Sequence, residues 1–187
     1  ANRQGYEDFY QLRDGLYAVG VLNALVRLGD KVPGAHLAQT VNVLGALRTD
    51  ATRAVASPIA LAFQLHAEHG GPWRVPVSLD TPKMPFPGVN GELPLVDAVA
   101  TLSEDKQALH VILLNRHPTD DLACRVTLDG FTPASGALTT MAGPSWDAIN
   151  TFEQPETVKL QTKGLTPGEW TDLILPKHSA AALSLKR

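Results

Sequence analysis

Apolar residues recur every three or four positions along the first part of the chain, from about residue 6 to residue 28. This period places them on one face of an α-helix, and Gly29 follows the last apolar turn as a typical helix end. A second run of this kind, IALAFQLHAEHG, starts after Ser57 and Pro58, a favoured cap and a favoured first helical residue. The pattern therefore predicts two helices in this part of the chain.

A shorter apolar run, residues 35–44, separates the two helices and contains the amides Gln39 and Asn42. It is rich in valine and leucine and apolar on both sides, a pattern typical of a strand buried on both faces in a parallel sheet. A single such strand between two helices does not close a layered domain. We therefore predict that residues 1–71 are the terminal segment of a (β/α)8 barrel, arranged as helix, strand, helix.

The apolar period changes to two after a segment rich in proline and glycine at residues 72–94. Such a composition rules out a long helix and predicts a linker or an edge segment. Short alternating runs separated by turn-forming pairs then fill residues 95–187, as expected for an antiparallel β-sandwich. The predicted strands are VDAVATL, ALHVILLN, LACRVTLD, ALTTMA, TVKLQT, WTDLILP and AALSLK. The predicted fold class is therefore mixed, with a barrel end followed by a sandwich.

The composition argues against several kinds of partner. A net charge of −3 with thinly spread Lys and Arg provides no basic stripe, so we expect no nucleic-acid partner. No apolar run reaches the roughly 18 residues that a membrane helix needs, so we expect no membrane partner. The single cysteine, Cys124, leaves no intrachain disulfide. His66 and His69 lie three positions apart without a third ligand, so we predict no metal site, and no motif predicts a cofactor.

Two groups of segments resemble a known family. The segment LRDGLYAVGVLNALVRLGDKVPGAHLAQTVNVLGALRTD, followed by SPIALAFQLHAEHGG, is similar to the region after the catalytic nucleophile in family 51 glycoside hydrolases, the α-L-arabinofuranosidases. In the second half, LSEDKQALHVILLNRHP, INTFEQPETVKLQ and LPKHSAAALSL are similar to the C-terminal domain of that family. The resemblance covers nearly the whole chain.

The resemblance implies a (β/α)8 barrel followed by a sandwich, and removal of terminal arabinofuranosyl groups from arabinan and arabinoxylan with retention of configuration. Retaining hydrolysis needs two carboxyl groups about 5–5.5 Å apart, and in the family both are glutamates in segments that would precede Ala1. We therefore expect no catalytic residue in this chain and no activity of the chain alone. The missing N-terminal barrel portion, or a partner chain, would complete the enzyme. We also expect a cytoplasmic homo-oligomer.

Gln39 and Asn42 are the predicted substrate-binding residues. In the family, the glutamine that matches Gln39 reaches the arabinose unit that is cleaved. From the residues alone, a buried amide with a purely structural role is equally acceptable for Gln39, and Asn42 is well suited to holding backbone at a strand end. Trp146 is a candidate for stacking on a sugar, although a single tryptophan is usually a core residue. The alternative function is a non-catalytic carbohydrate-binding or structural β-sandwich module.

Overall fold

The structure, a computed structural model, describes residues 8–187. In this part of the chain, helix α1 (Leu12–Leu28) leads into a 3-10 turn (Gly29–Lys31), and helix α2 (Pro58–Glu68) follows later. The predicted first helix was placed from about residue 6, and residues 1–7 lie outside the described residues. Within residues 8–187, α1 begins at Leu12, because Gln11 is extended and its backbone N–H donates to Asp14 Oδ2 at 2.7 Å. The backbone N–H of Asp14 donates in turn to the Gln11 carbonyl at 3.0 Å, which fixes the first turn of the helix.

All the strands predicted from the period of two are present, so the antiparallel sandwich is confirmed. They are β6 (Val96–Leu102), β7 (Ala108–Asn115), β8 (Leu122–Arg125), β9 (Ser135–Ala142), β10 (Lys159–Leu165), β11 (Asp172–Leu175) and β12 (Ser179–Lys186). The large sheet has six strands in the order β10-β9-β12-β7-β6-β3, where β3 is Trp73–Val75. A second sheet pairs β11 with β8 and packs on one face of the large sheet through an apolar cluster that includes Leu173, Leu175 and Leu183.

The two helices cover the other face of the large sheet. Leu12, Val19 and Leu65 are fully buried there, in a second apolar cluster that includes Ile112 and Met141 of the sheet. The backbones of the two helices approach each other closely at Gly15, where an added Cβ would lie 2.6 Å from the carbonyl oxygen of Pro58. The described chain therefore has three layers, a small sheet, a large sheet and a helix pair, with a core on each side of the large sheet.

Polar side chains join α1 to the first strand of the large sheet. Asp97 is 4% exposed, and it forms ion pairs with Arg27 at 2.8 Å and Arg116 at 3.2 Å. The buried Asn23 donates to the same carboxylate at 3.0 Å and contacts His66 of α2 at 3.0 Å. Because a buried carboxylate is tolerated only when it is paired and hydrogen bonded, this network holds the helices in one position on the sheet.

The predicted strand at residues 35–44 is wrong. This segment is irregular apart from a single bridge between Val41 and Leu47, and Gln39 and Asn42 are exposed. A strand requires neighbouring strands to receive its hydrogen bonds along its length, and among residues 8–187 this segment has only the one bridge to Leu47. A short hairpin that the pattern did not predict, β1 (Leu47–Thr49) and β2 (Ala54–Ala56), follows instead.

The segment rich in proline and glycine contains three short strands. Strand β3 pairs antiparallel with β6 and is an edge of the large sheet. Strands β4 (Lys83–Pro85) and β5 (Glu92–Pro94) form a separate hairpin. Prolines are compatible with these positions because an edge strand or a small hairpin leaves many backbone N–H groups without a ladder partner.

Candidate functional site

The predicted site residues lie on a loop between α1 and the hairpin β1–β2. The loop folds back on itself: the backbone N–H of Ala46 donates to the Gln39 carbonyl at 3.3 Å, and that of Leu47 donates to the Thr40 carbonyl at 2.9 Å. The Gln39 residue is exposed, and within residues 8–187 its side-chain amide has no hydrogen-bond partner. An amide held on a closed loop and directed to solvent is free to donate to and accept from a ligand.

Asn42 has a different position on the same loop. Its side chain accepts from the backbone N–H of Thr49 at 2.7 Å and donates to the Thr49 hydroxyl at 3.0 Å. Its φ of 56° is in the left-handed region, which asparagine tolerates better than most residues. The turn closes at Gly45, where an added Cβ would lie 2.6 Å from the Val41 carbonyl carbon. In the described structure Asn42 therefore supports the loop that carries Gln39.

The loop is attached to the amino end of α1 and to the sandwich. The Tyr10 hydroxyl donates to the Leu44 carbonyl at 2.8 Å. On the adjoining strand β1, the Arg48 guanidinium lies over the ring of Phe9 at 3.7 Å and near that of Phe152 at 5.6 Å. These cation–π contacts join three distant parts of the chain. Sequence patterns did not predict this cluster, because its members carry no common spacing.

A tight turn closes the hairpin next to this cluster. Asp50 accepts from the backbone N–H of Thr52 at 2.9 Å and forms an ion pair with Arg53 at 2.6 Å. The Thr52 N–H first, and the Arg53 side chain second, lower the pKa of the Asp50 carboxyl to about 2. Asp50 is therefore ionised at neutral pH and stabilises the turn, and its fixed negative charge makes it unsuited to act as a general acid.

An apolar groove of about 350 Å³ lies beside the loop, between α1, α2 and residues 35–37. Its lining includes Tyr17, Val21, His36 and Phe63. Tyr17 is 76% exposed and Val21 41% exposed. This outer face of the helix pair is apolar although nothing among the described residues covers it, and large exposed apolar patches commonly mark interaction surfaces.

A metal site and a membrane-spanning helix each impose requirements on residues 8–187. No group of three or more His, Cys, Asp and Glu side chains in this range could hold a metal ion. Within the same range, no helix has the length and apolar character needed to span a membrane. The loop therefore offers the Gln39 side-chain amide to a ligand, and the described residues contain no set of metal ligands.

Solved structures with the same fold first define the class of protein. A family 51 α-L-arabinofuranosidase from Thermotoga petrophila superimposes with a TM-score of 0.88 at 29% identity, over 98% of this chain and 41% of that chain. The α-L-arabinofuranosidase of Thermotoga maritima in complex with arabinose has a TM-score of 0.87 at 28% identity, over 100% of this chain and 41% of that chain. The architecture is thus that of the C-terminal region of a glycoside hydrolase.

The sequence comparison identifies the family. The family described as alpha-L-arabinofuranosidase C-terminal domain matches residues 1–179, and the chain belongs to it. It is 30% identical over 194 residues to alpha-L-arabinofuranosidase C of Emericella nidulans, a match that covers 98% of this chain and 36% of that protein. It is 27% identical to an intracellular exo-alpha-(1->5)-L-arabinofuranosidase of Bacillus subtilis, over 67% of this chain and 25% of that protein. The chain spans little more than a third (36%) of the length of the fungal relatives it matches.

Proposed function

We propose that this chain is the C-terminal portion of a retaining α-L-arabinofuranosidase that removes terminal arabinofuranosyl groups from arabinan or arabinoxylan. The observation that carries this proposal is the Gln39 amide, which a pinned loop holds toward solvent without a partner in residues 8–187. A neutral amide that both donates and accepts suits the hydroxyls and ring oxygen of a furanose. The family membership supports the sugar that it would bind.

The chemical steps in this proposal belong to groups outside the chain. One carboxylate attacks the anomeric carbon while a second protonates the leaving oxygen, and the two stand about 5–5.5 Å apart in a retaining enzyme. This chain supplies one wall of the site: Gln39 orients the sugar, and Asn42 keeps the loop in place or touches the sugar as well. The contact by Gln39 accelerates the reaction only as far as it strengthens in the transition state.

The domain organisation is part of the proposal. Residues 1–71 are the terminal segment of the catalytic barrel, residues 72–94 connect it to the sandwich at residues 95–187, and the sandwich braces the barrel. The apolar groove lined by Tyr17, Val21 and Phe63 supports this assignment, because it gives the missing N-terminal barrel portion a surface to cover. The complete enzyme is proposed to be a cytoplasmic homo-oligomer. The relatives from Bacillus subtilis and Bacteroides ovatus are named intracellular enzymes.

The test uses the intact protein that contains this chain. Given an aryl α-L-arabinofuranoside in methanol and water, it should release the aryl group and form a methyl arabinofuranoside whose anomeric configuration, read by proton NMR, is that of the substrate. An aryl β-D-xylopyranoside is the control and should be cleaved at least about a hundredfold more slowly, since the site is built for a furanose. Absence of turnover on the arabinofuranoside, or a product of inverted configuration, would contradict the proposal.

A further inference from the structure

An exposed aromatic residue stands on the turn that touches the amino end of α1. Trp146 is 52% exposed and stacks on His178, with ring centroids 6.1 Å apart and planes inclined by 25°. Nε2 of His178 donates to the Pro118 carbonyl at 2.7 Å, which fixes the imidazole ring of the stacked pair. A large aromatic surface left in water forgoes burial energy. The exposed part of the indole, stacked on a hydrogen-bonded imidazole, is accessible to a ligand.

The turn that presents Trp146 is rigid. The backbone N–H of Arg13 donates to the Trp146 carbonyl at 2.8 Å, and that of Leu12 donates to the Ala148 carbonyl at 2.8 Å. Asn150, 4% exposed, ties the base of the turn through hydrogen bonds with Val158 in both directions and with the Ala56 carbonyl at 3.0 Å. The backbone that carries Trp146 is therefore anchored at several points, which reduces the ordering cost of binding.

These same contacts place Trp146 at a defined end of the helix pair. The turn touches the first residues of α1, and Asn150 reaches the residue before Ser57, the cap of α2. In a (β/α)8 barrel each helix begins after the carboxyl end of a strand, so the amino ends of the helices lie on the catalytic face. If α1 and α2 are barrel helices, as proposed above, Trp146 lies on the same side of the molecule as the substrate.

Two charged residues adjoin Trp146: Asp147 follows it in the chain, and the backbone N–H of Arg13 donates to its carbonyl. The Ser145 hydroxyl, followed by the positive charge of Arg13, lowers the pKa of the exposed Asp147 carboxyl, so it is an ionised acceptor at neutral pH. Arg13 itself is exposed and provides donors. Sugars present apolar C–H faces edged by hydroxyls, so a flat aromatic ring with donors and acceptors beside it is complementary to them.

We propose that Trp146, with His178 beneath it and Arg13 and Asp147 beside it, forms a subsite for a sugar unit of the polysaccharide beyond the arabinose that is cleaved. This inference rests on the proposed arabinofuranosidase function. It specifies which part of the polysaccharide the C-terminal domain binds. A small aryl arabinofuranoside does not extend to this subsite, whereas a branched arabinan or arabinoxylan does.

The experiment compares two substrates in the intact enzyme. Trp146→Ala should lower kcat/KM on arabinoxylan relative to kcat/KM on an aryl arabinofuranoside by about five- to tenfold, the effect of losing one aromatic contact. Most of the change should be in KM. Trp146→Tyr, which keeps a ring, should recover much of the ratio. Trp146→Gln serves as a second variant without a ring if the alanine variant folds poorly.

Trp73 provides the matched control. It is 50% exposed on edge strand β3 and its indole donates to the Glu104 carbonyl at 3.3 Å. The adjacent Arg74 donates to the Arg27 carbonyl near the carboxyl end of α1, away from the proposed subsite. Trp73→Ala should leave the ratio unchanged. An unchanged ratio in the folded Trp146 variants, with the wild type active on both substrates, would overturn the subsite alone. A wild type inactive on the aryl arabinofuranoside would overturn the proposed function and the subsite with it.

Discussion

Strand β12 and the segment at residues 35–44 are both apolar, yet they differ completely in structure. In β12, Ala181, Leu183 and Leu185 face the small sheet while Ala180 and Ala182 face the helices, and all are 0% exposed. Strands β7 and β9 pair with it on either side. The segment at residues 35–44 has no such neighbours among residues 8–187 and is irregular and mostly exposed.

The comparison shows that an apolar run becomes a strand only where its partners are present. The sandwich is complete because every strand partner of β12 belongs to the same chain. The loop with Gln39 and the outer face of α1 border an apolar groove that no described residue covers. The chain therefore contains a closed region, the sandwich, and an open region, the groove and the loop beside it.

The largest expected effect is the difference in catalytic activity between residues 1–187 alone and the intact protein. Residues 1–187 alone should turn over an aryl α-L-arabinofuranoside several orders of magnitude more slowly than the intact protein, because both catalytic carboxylates are proposed to lie outside the chain. Parallel assays at equal molar concentration measure this. Turnover by the isolated chain above that of a mock purification would show that the chemistry resides here after all.

Stability should depend on the closed region. Leu183→Ala should lower the free energy of unfolding of residues 1–187 by about 2–5 kcal/mol, since it opens a cavity in a fully packed core. Tyr17→Ser, on the open face, should change it by no more than about 0.5 kcal/mol. Urea titrations followed by circular dichroism provide both values. Equal effects would mean that the open face is already packed in solution.

The same Tyr17 substitution should have a larger effect on stability in the intact protein. If the missing barrel portion covers the groove, Tyr17→Ser becomes a core substitution there and should cost about 1–3 kcal/mol, the usual penalty for an unpaired polar group or a cavity in a buried site. The isolated chain should also bind a hydrophobic dye that the intact protein binds weakly. If Tyr17→Ser has no effect on stability in either the isolated chain or the intact protein, the missing barrel portion does not cover the groove.

Within the open region, Gln39 and Asn42 should respond differently. In the intact enzyme Gln39→Ala should lower kcat/KM about ten- to a hundredfold, equivalent to roughly 1.4–2.7 kcal/mol, with the melting temperature unchanged. Asn42→Ala should lower the melting temperature because it strands the Thr49 N–H and hydroxyl. Kinetics and thermal melting of each variant distinguish a substrate contact from a structural role. Unchanged kinetics with a lowered melting temperature for Gln39→Ala would make it a scaffold residue.

The smallest predicted effect is on the pH dependence of the closed region. Nδ1 of His69 and Nδ1 of His110 both lie 2.9 Å from the Ser184 hydroxyl, between α2 and the large sheet. Burial lowers the pKa of both imidazoles from 6.5. The nearby Glu68 partly opposes this for His69, whereas His69 and Lys186 lower the pKa of His110 further. Both residues are therefore neutral in the folded protein near pH 7.

The sign of the stability change follows from these directions. Because the unfolded chain takes up protons at a higher pH than the folded chain, stability is full above about pH 6.5 and falls as the pH drops below it. The melting temperature of residues 1–187 should accordingly decrease between pH 7.5 and pH 5, over about 2 pH units below neutrality. His110→Gln should flatten this decrease. A flat wild-type profile, or an unchanged slope in the variant, would contradict the assignment.

Sequence patterns were sufficient for the parts of the fold whose interaction partners lie in the same chain. Period two predicted the seven strands of residues 95–187, since alternate residues face opposite sides of a sheet. Strand β3 of the large sheet lies in the segment predicted as a linker or edge segment. Period three to four predicted both helices, and the Ser57-Pro58 cap placed the start of α2. The amides Gln39 and Asn42 were predicted as one site, and the structure places both on one loop.

Which apolar residues are buried became evident from the three-dimensional structure. It showed that the helices share a core with the sheet, that residues 35–44 form a loop, and that Trp146 and His178 meet on the surface. It also distinguished the surroundings of Gln39 and Asn42, because the Asn42 side chain bonds to Thr49 of β1 whereas the Gln39 amide has no partner among residues 8–187. The physical reason is that hydrophobic periodicity encodes a preference for burial, whereas burial itself requires a second surface in contact, and contacts between distant segments leave no periodic mark in the sequence.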